Sequence, residues 1–82
     1  MNRFRLHQII EVTNPSVLIR SLAGMTGEVV ELRSPAGDSA YCRMDAEVPP
    51  ALRVGRDPFR AMLFADEVRE IGSARPRAGV AA

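Results

Sequence analysis

The stretch Ser39-Ala40-Tyr41-Cys42-Arg43-Met44-Asp45-Ala46-Glu47-Val48 alternates apolar with polar residues over ten positions. Ala40, Cys42, Met44, Ala46 and Val48 share one phase; Tyr41, Arg43, Asp45 and Glu47 share the other. Successive side chains of a strand point to opposite faces. The pattern therefore predicts an antiparallel strand with one dry and one wet face. Pro49-Pro50 ends it, because neither ring nitrogen donates to a ladder. On its other side, Ser34-Pro35-Ala36-Gly37-Asp38 has tight-turn chemistry: Ser at the first position, a preset Pro at the second, Gly at the fourth. Ahead of that turn, residues 25–33 read as the partner strand, entered through Gly27. Glu28, Val30 and Leu32 are expected on one face and Val29, Glu31 and Arg33 on the other.

Working outward, residues 3–12 read as a first strand. Phe4 and Leu6 are expected inward, alternating with Arg3, Arg5 and His7, and Ile9, Ile10 and Val12 follow. Asn14-Pro15-Ser16 offers an N-cap and a first-turn proline for one short helix near 15–23. Val17, Leu18, Ser21 and Leu22 would form its face and Gly24 would end it. An irregular loop, or a strand through Val17–Ile19, is the alternative. Downstream, residues 51–57 form a loop or a single turn. Phe59 to Phe64 is apolar in both phases and is expected as a central strand. Ala65-Asp66-Glu67 reads as one helical turn, and Val68 to Ile71 as a short last strand. Five short antiparallel strands in about 70 residues are expected to curl into a small barrel, because an open sheet would leave an apolar face wet. The expected organisation is an all-β barrel domain over 1–71 and a flexible tail over 72–82, where Val80 is the one branched apolar residue.

Composition narrows the chemistry. The 82 residues suit one domain, with 46% hydrophobic and 26% charged residues, the mix of a globular chain. No apolar run approaches the roughly 18–20 residues of a membrane span, so no membrane association is expected. One cysteine excludes an intramolecular disulfide, a cysteine zinc site and an iron–sulfur cluster, and one histidine excludes a His-rich metal site. No cofactor is expected. A net charge of +1 exerts little pull on nucleic acid. All 11 basic residues are arginine, a composition expected of a GC-rich, bacterial coding sequence. Near the N-terminus, apolar residues alternate with Arg, His and Gln instead of forming an export signal's apolar run. A cytoplasmic location with Cys42 reduced is the expectation.

The layout resembles the SH3-like small barrels. Three features carry the resemblance: the long excursion 13–25 after the first strand, the hairpin across Gly27 to Val48, and the strand–one turn–strand segment Met62 to Ile71. Gly24-Met25-Thr26-Gly27-Glu28-Val29-Val30 is similar to the Gly-x-x-Gly-x-Val opening of ribosomal and transcription-factor barrels. An OB-like barrel is the alternative. Peptide-binding members line their groove with aromatics including tryptophan, and this chain has no Trp and one Tyr. Proline-rich recognition through stacked aromatics is therefore not expected. Nucleic-acid-binding barrels use basic surfaces with stacking aromatics, whereas acids and bases alternate here. The resemblance then implies barrels that serve as subunits or accessory parts of enzymes.

Candidate chemistry is sparse. Cys42 shares its phase with Ala40 and Met44 and reads as a buried small hydrophobe; with His7 it would form a remote Cys/His enzyme site. His7 reads as a surface residue. Asp45 and Glu47 lie two apart on one expected strand face, and pairing to Arg33 or Arg60 is their simplest use. Gly24-Met25-Thr26-Gly27 lacks the lysine of a phosphate loop. Arg53, Arg56 and Arg60 cluster with Asp57 as the nearby acid, and Tyr41 and Arg43 face outward from the neighbouring strand. Arg and Tyr are enriched at binding hot spots, so these five residues form the candidate surface for an acidic protein partner. Leu52 and Val54 either project to that partner or fold back over the barrel end. The expected function is a non-catalytic accessory or interaction module, as a homo-oligomer or part of a larger complex. A nucleic-acid-binding barrel is the alternative.

Overall fold

The structure is a computed structural model that describes residues 3–73. In chain order it contains β1 (Gln8–Val12), the 3-10 helix η1 (Val17–Leu22), β2 (Thr26–Leu32) and β3 (Ser39–Met44). The 3-10 helix η2 (Pro50–Leu52), β4 (Arg60–Phe64), the 3-10 helix η3 (Ala65–Glu67) and β5 (Val68–Ser73) follow. The strands form one antiparallel sheet in the order β4-β3-β2-β1-β5. The all-β expectation holds. Among the described residues no ladder joins β4 to β5, so the sheet is not closed into a barrel by strand pairing. The expected tail from Gly72 begins with two residues of β5, and the rest of it lies outside the described residues. No helix among the described residues is long and apolar enough to cross a membrane.

The turn chemistry around Ser34 works as its residues dictate. The Gly37 amide donates to the Ser34 carbonyl at 3.1 Å, and Gly37 takes φ +76°. The Ser34 hydroxyl donates to Asp38 at 2.7 Å. The turn starts β3 with Ala40, Cys42 and Met44 buried, opposite Val29 and Gly27 of β2 and Ala61 and Leu63 of β4. Phe4, Ile10, Val12, Leu22, Val48, Ala65 and Val68 complete the core.

Five expectations need correction. β1 starts at Gln8, not Arg3, because the backbone turns at His7 with φ +71°, a conformation that throws Leu6 outward. The short helix expected near 15–23 is present as a 3-10 helix over 17–22, but it is kinked at Ile19 and its expected face is not the packed one: Val17 and Leu18 are exposed and Leu22 is buried. In β2 the register shifts between Val29 and Glu31. This bulge at Val30 reverses the alternation, leaving Val29 inward and Glu31 outward beside Tyr41. β3 ends at Met44, so Ala46 is exposed and Asp45 and Glu47 share no strand face; the Thr26 hydroxyl donates to Asp45. Finally, β4 is an edge strand, not a central one. Its second apolar phase is explained by Met62, which lies opposite Tyr41 on the outer side, half-buried.

Glu67 ties the two halves of the chain. It is buried, and its carboxylate accepts the Phe64 amide at 2.9 Å and the Ser16 amide at 3.3 Å. Its carbonyl accepts the Thr13 and Asn14 amides, both at 3.0 Å. One residue thus fixes the β1–β2 excursion against η3. Truncating the carboxylate removes two part-buried, charge-assisted hydrogen bonds, so Glu67→Ala is expected to lower stability by about 1–3 kcal/mol in urea unfolding, with Glu67→Gln intermediate.

Gly27 leaves no room for a side chain between β2 and β3. A Cβ there would lie 2.7 Å from the Arg43 carbonyl oxygen and 2.8 Å from the Met44 Sδ. A backbone oxygen cannot yield as a side-chain tip can. Gly27→Ala is expected to cost about 1–3 kcal/mol in the same urea measurement, as overpacked sites do.

Candidate functional site

The outward phase of β3 and β4 collects three of the five candidate residues. Arg43 and Arg60 are cross-strand partners, and Tyr41 lies opposite Met62. The Arg60 guanidinium sits 5.0 Å from the Tyr41 ring centroid, and that of Arg43 sits 5.4 Å from Phe59. Each cation is also paired: Arg60 with Glu31, and Arg43 with Asp57 at 3.3 Å. Glu28 lies opposite Arg43 on β2 and meets His7 at 3.1 Å. The result is a sheet face of stacked arginines and aromatics with interleaved carboxylates. Arg60 Nε is buried with no hydrogen-bond partner, so stacking and the Glu31 pair hold this guanidinium in place.

The other two candidates are not brought into this group. Arg53 turns back and donates through Nε to the Val48 carbonyl at 2.7 Å, and its backbone bridges to Ala61. Its role is to hold the 48–53 loop along the free edge of β4. Leu52 packs on the core and Val54 is half-buried, so that loop folds back over the end of the sheet. Arg56 stands exposed in the turn beside Gly55, and the two stacked pairs are formed by Arg43 and Arg60.

Cys42 and His7 do not form a dyad. Cys42 faces the core from β3, whereas His7 sits outside against Glu28. Burial pushes the Cys42 thiol from its ordinary 9.0 up to about 12. A nucleophilic cysteine needs the opposite, a stabilised thiolate. Among the described residues no group of three His, Cys, Asp or Glu side chains gathers as a metal site.

One feature escaped the sequence patterns. Asn14, Pro15, Ser16, Phe64, Asp66 and Glu67 line an open cleft of about 430 Å³. Its two walls carry the helix-cap sequence Asn14-Pro15-Ser16 and the tight-turn sequence Ala65-Asp66-Glu67. The one sequence signal was the pair of carboxylates in Asp66-Glu67, directly after an apolar strand.

Comparison of the chain with family profiles, curated proteins and solved structures gave no match.

The thiol makes a pH prediction. In the unfolded chain Cys42 ionises near 9.0; in the folded chain it stays protonated up to about 12. Above pH 9 the unfolded state therefore sheds a proton that the folded state keeps. This group leaves stability level below that point and lowers it as pH rises towards 12, by up to about 1.4 kcal/mol per pH unit. The chain has no lysine and one tyrosine, so few other side chains titrate in that window. Urea unfolding between pH 8 and 10.5 (a range chosen about the ordinary thiol value) is expected to show the slope in wild type and a weaker one in Cys42→Ala.

Proposed function

We propose that this chain is a non-catalytic protein-interaction module on an SH3-like small barrel, and that the outward face of β3 and β4 docks its protein partner. The strand order supports the SH3-like reading: β1 and β5 pair, the β2–β3 hairpin lies at the middle, and η3 alone links the two edge strands. On this reading the two edges are brought round by η3 rather than by a ladder.

The observation that carries the proposal is the pair of stacks, Arg60 on Tyr41 and Arg43 on Phe59. Stacking sets the guanidinium planes before a partner arrives, so less rotamer freedom is lost on binding. Arg and Tyr held in this way are typical binding anchors. The electrostatics favour protein over nucleic acid. Glu28, Glu31 and Asp57 stand beside the two arginines, so a phosphate backbone would meet three carboxylates on the same face. An enzyme reading gains nothing from Cys42, whose thiol is protonated at neutral pH. The module then serves as an accessory part of a bacterial assembly.

The test is affinity capture with the wild-type chain and with a Tyr41→Ala/Arg43→Ala variant shown by circular dichroism to be folded. Proteins retained by wild type should fall by about tenfold or more with the variant, the loss expected for hot-spot truncation. Equal retention by both would contradict the docking face. Retention abolished by nuclease would favour nucleic acid instead.

A further inference from the structure

The outward side of β4 changes character toward η3. Arg60, Met62 and Phe64 follow one another on that side, and Phe64 opens onto the cleft it lines with Pro15. Val17 and Leu18 come directly after Ser16, a further cleft residue. They are the most exposed large apolar residues among those described, at 78% and 84%. η1 buries Leu22 and turns these two into solvent. Adjacent exposed apolar side chains beside a concavity mark an interaction site more often than isolated ones do.

The charge of the cleft is one-sided. Its two ionisable lining residues, Asp66 and Glu67, are both carboxylates. Glu67 is engaged by the Phe64 and Ser16 amides. Asp66 is exposed and uses its backbone carbonyl, not its carboxylate, to accept from Asn14. Its carboxylate makes no ion pair among the described residues.

We infer that the cleft takes a peptide segment of a partner protein that presents an apolar side chain next to an arginine or lysine. The apolar side chain covers Phe64 and Pro15, flanked by Val17 and Leu18, and the cation meets Asp66. An acidic segment is disfavoured because it would approach two carboxylates. This inference rests on the reading of the chain as a protein-binding module, but not on the Tyr41 and Arg43 face.

The test is selection of a random heptapeptide library, displayed on phage, against the folded full-length chain. Enriched peptides are then measured by fluorescence anisotropy. They should carry an apolar residue beside Arg or Lys. Asp66→Asn should weaken them about threefold, as loss of an exposed ion pair does, and Phe64→Ala about tenfold or more. Selection on Asp66→Lys should turn the preference to acidic residues; since Asp66 is exposed, this variant keeps the test sharp even where Phe64→Ala fails to fold. No enrichment over the bare support, enrichment without a basic residue, or an unchanged basic preference on Asp66→Lys would overturn the inference. So would peptides that Tyr41→Ala/Arg43→Ala releases and the cleft variants do not, a result that leaves the β3–β4 docking face standing.

Discussion

The carboxylate and carbonyl of buried Glu67 fasten the β1–β2 excursion to η3, just beyond the β1–β5 ladder that ends at Val12 and Val68. Four backbone amides, from Thr13, Asn14, Ser16 and Phe64, converge on this one residue. All four bonds end on the same residue, so a displacement of Glu67 releases them together. While they hold, the β1–β2 excursion lies against η3, β4 is turned into β5, and the cleft has its two walls. No ladder joins the edge strands β4 and β5, which η3 connects in sequence. The edge strands themselves are held by their ladders, β4 to β3 and β5 to β1, and Glu67 adds the tie between the excursion and the turn that connects them.

The second constraint is the strict alternation of β3. The same six residues supply Ala40, Cys42 and Met44 to the core and Tyr41 and Arg43 to the outer face. A one-residue slip would exchange them, drowning the arginine in the core and exposing the thiol. Fold and candidate docking face are thus specified by one pattern. The bulge at Val30 adjusts β2 to it, bringing Glu31 outward where Arg60 requires a partner. Gly27 lets the two backbones approach closely where the bulge has not yet intervened.

What was legible in the sequence was local. The turn at Ser34 to Asp38 follows from residues whose side chains act within four positions of one another. The dry phase of β3 follows from period alone, and Tyr41 and Arg43 follow as its complement. What was not legible depends on distant partners. Val29-Val30 suits either phase, so the bulge shows only when β3 is laid beside it. The edge position of β4 depends on which strands pair, and Phe59 to Phe64 reads equally well as central. Arg53 looks like a free surface cation because its target is a backbone carbonyl, which carries no sequence signal. The cleft is the extreme case: Ser16 and Glu67 are 51 residues apart, and only hydrogen bonds between distant segments make one site of two unremarkable turns.

Amide hydrogen exchange in the wild-type chain tests the Glu67 clamp most directly. The amides of Thr13, Asn14, Ser16 and Phe64 should be protected and should open together, with one common free energy, because one residue satisfies all four. Exchange of Thr13, Asn14 and Ser16 at the rates of an unstructured peptide, with Phe64 still protected, would contradict the clamp and with it the cleft.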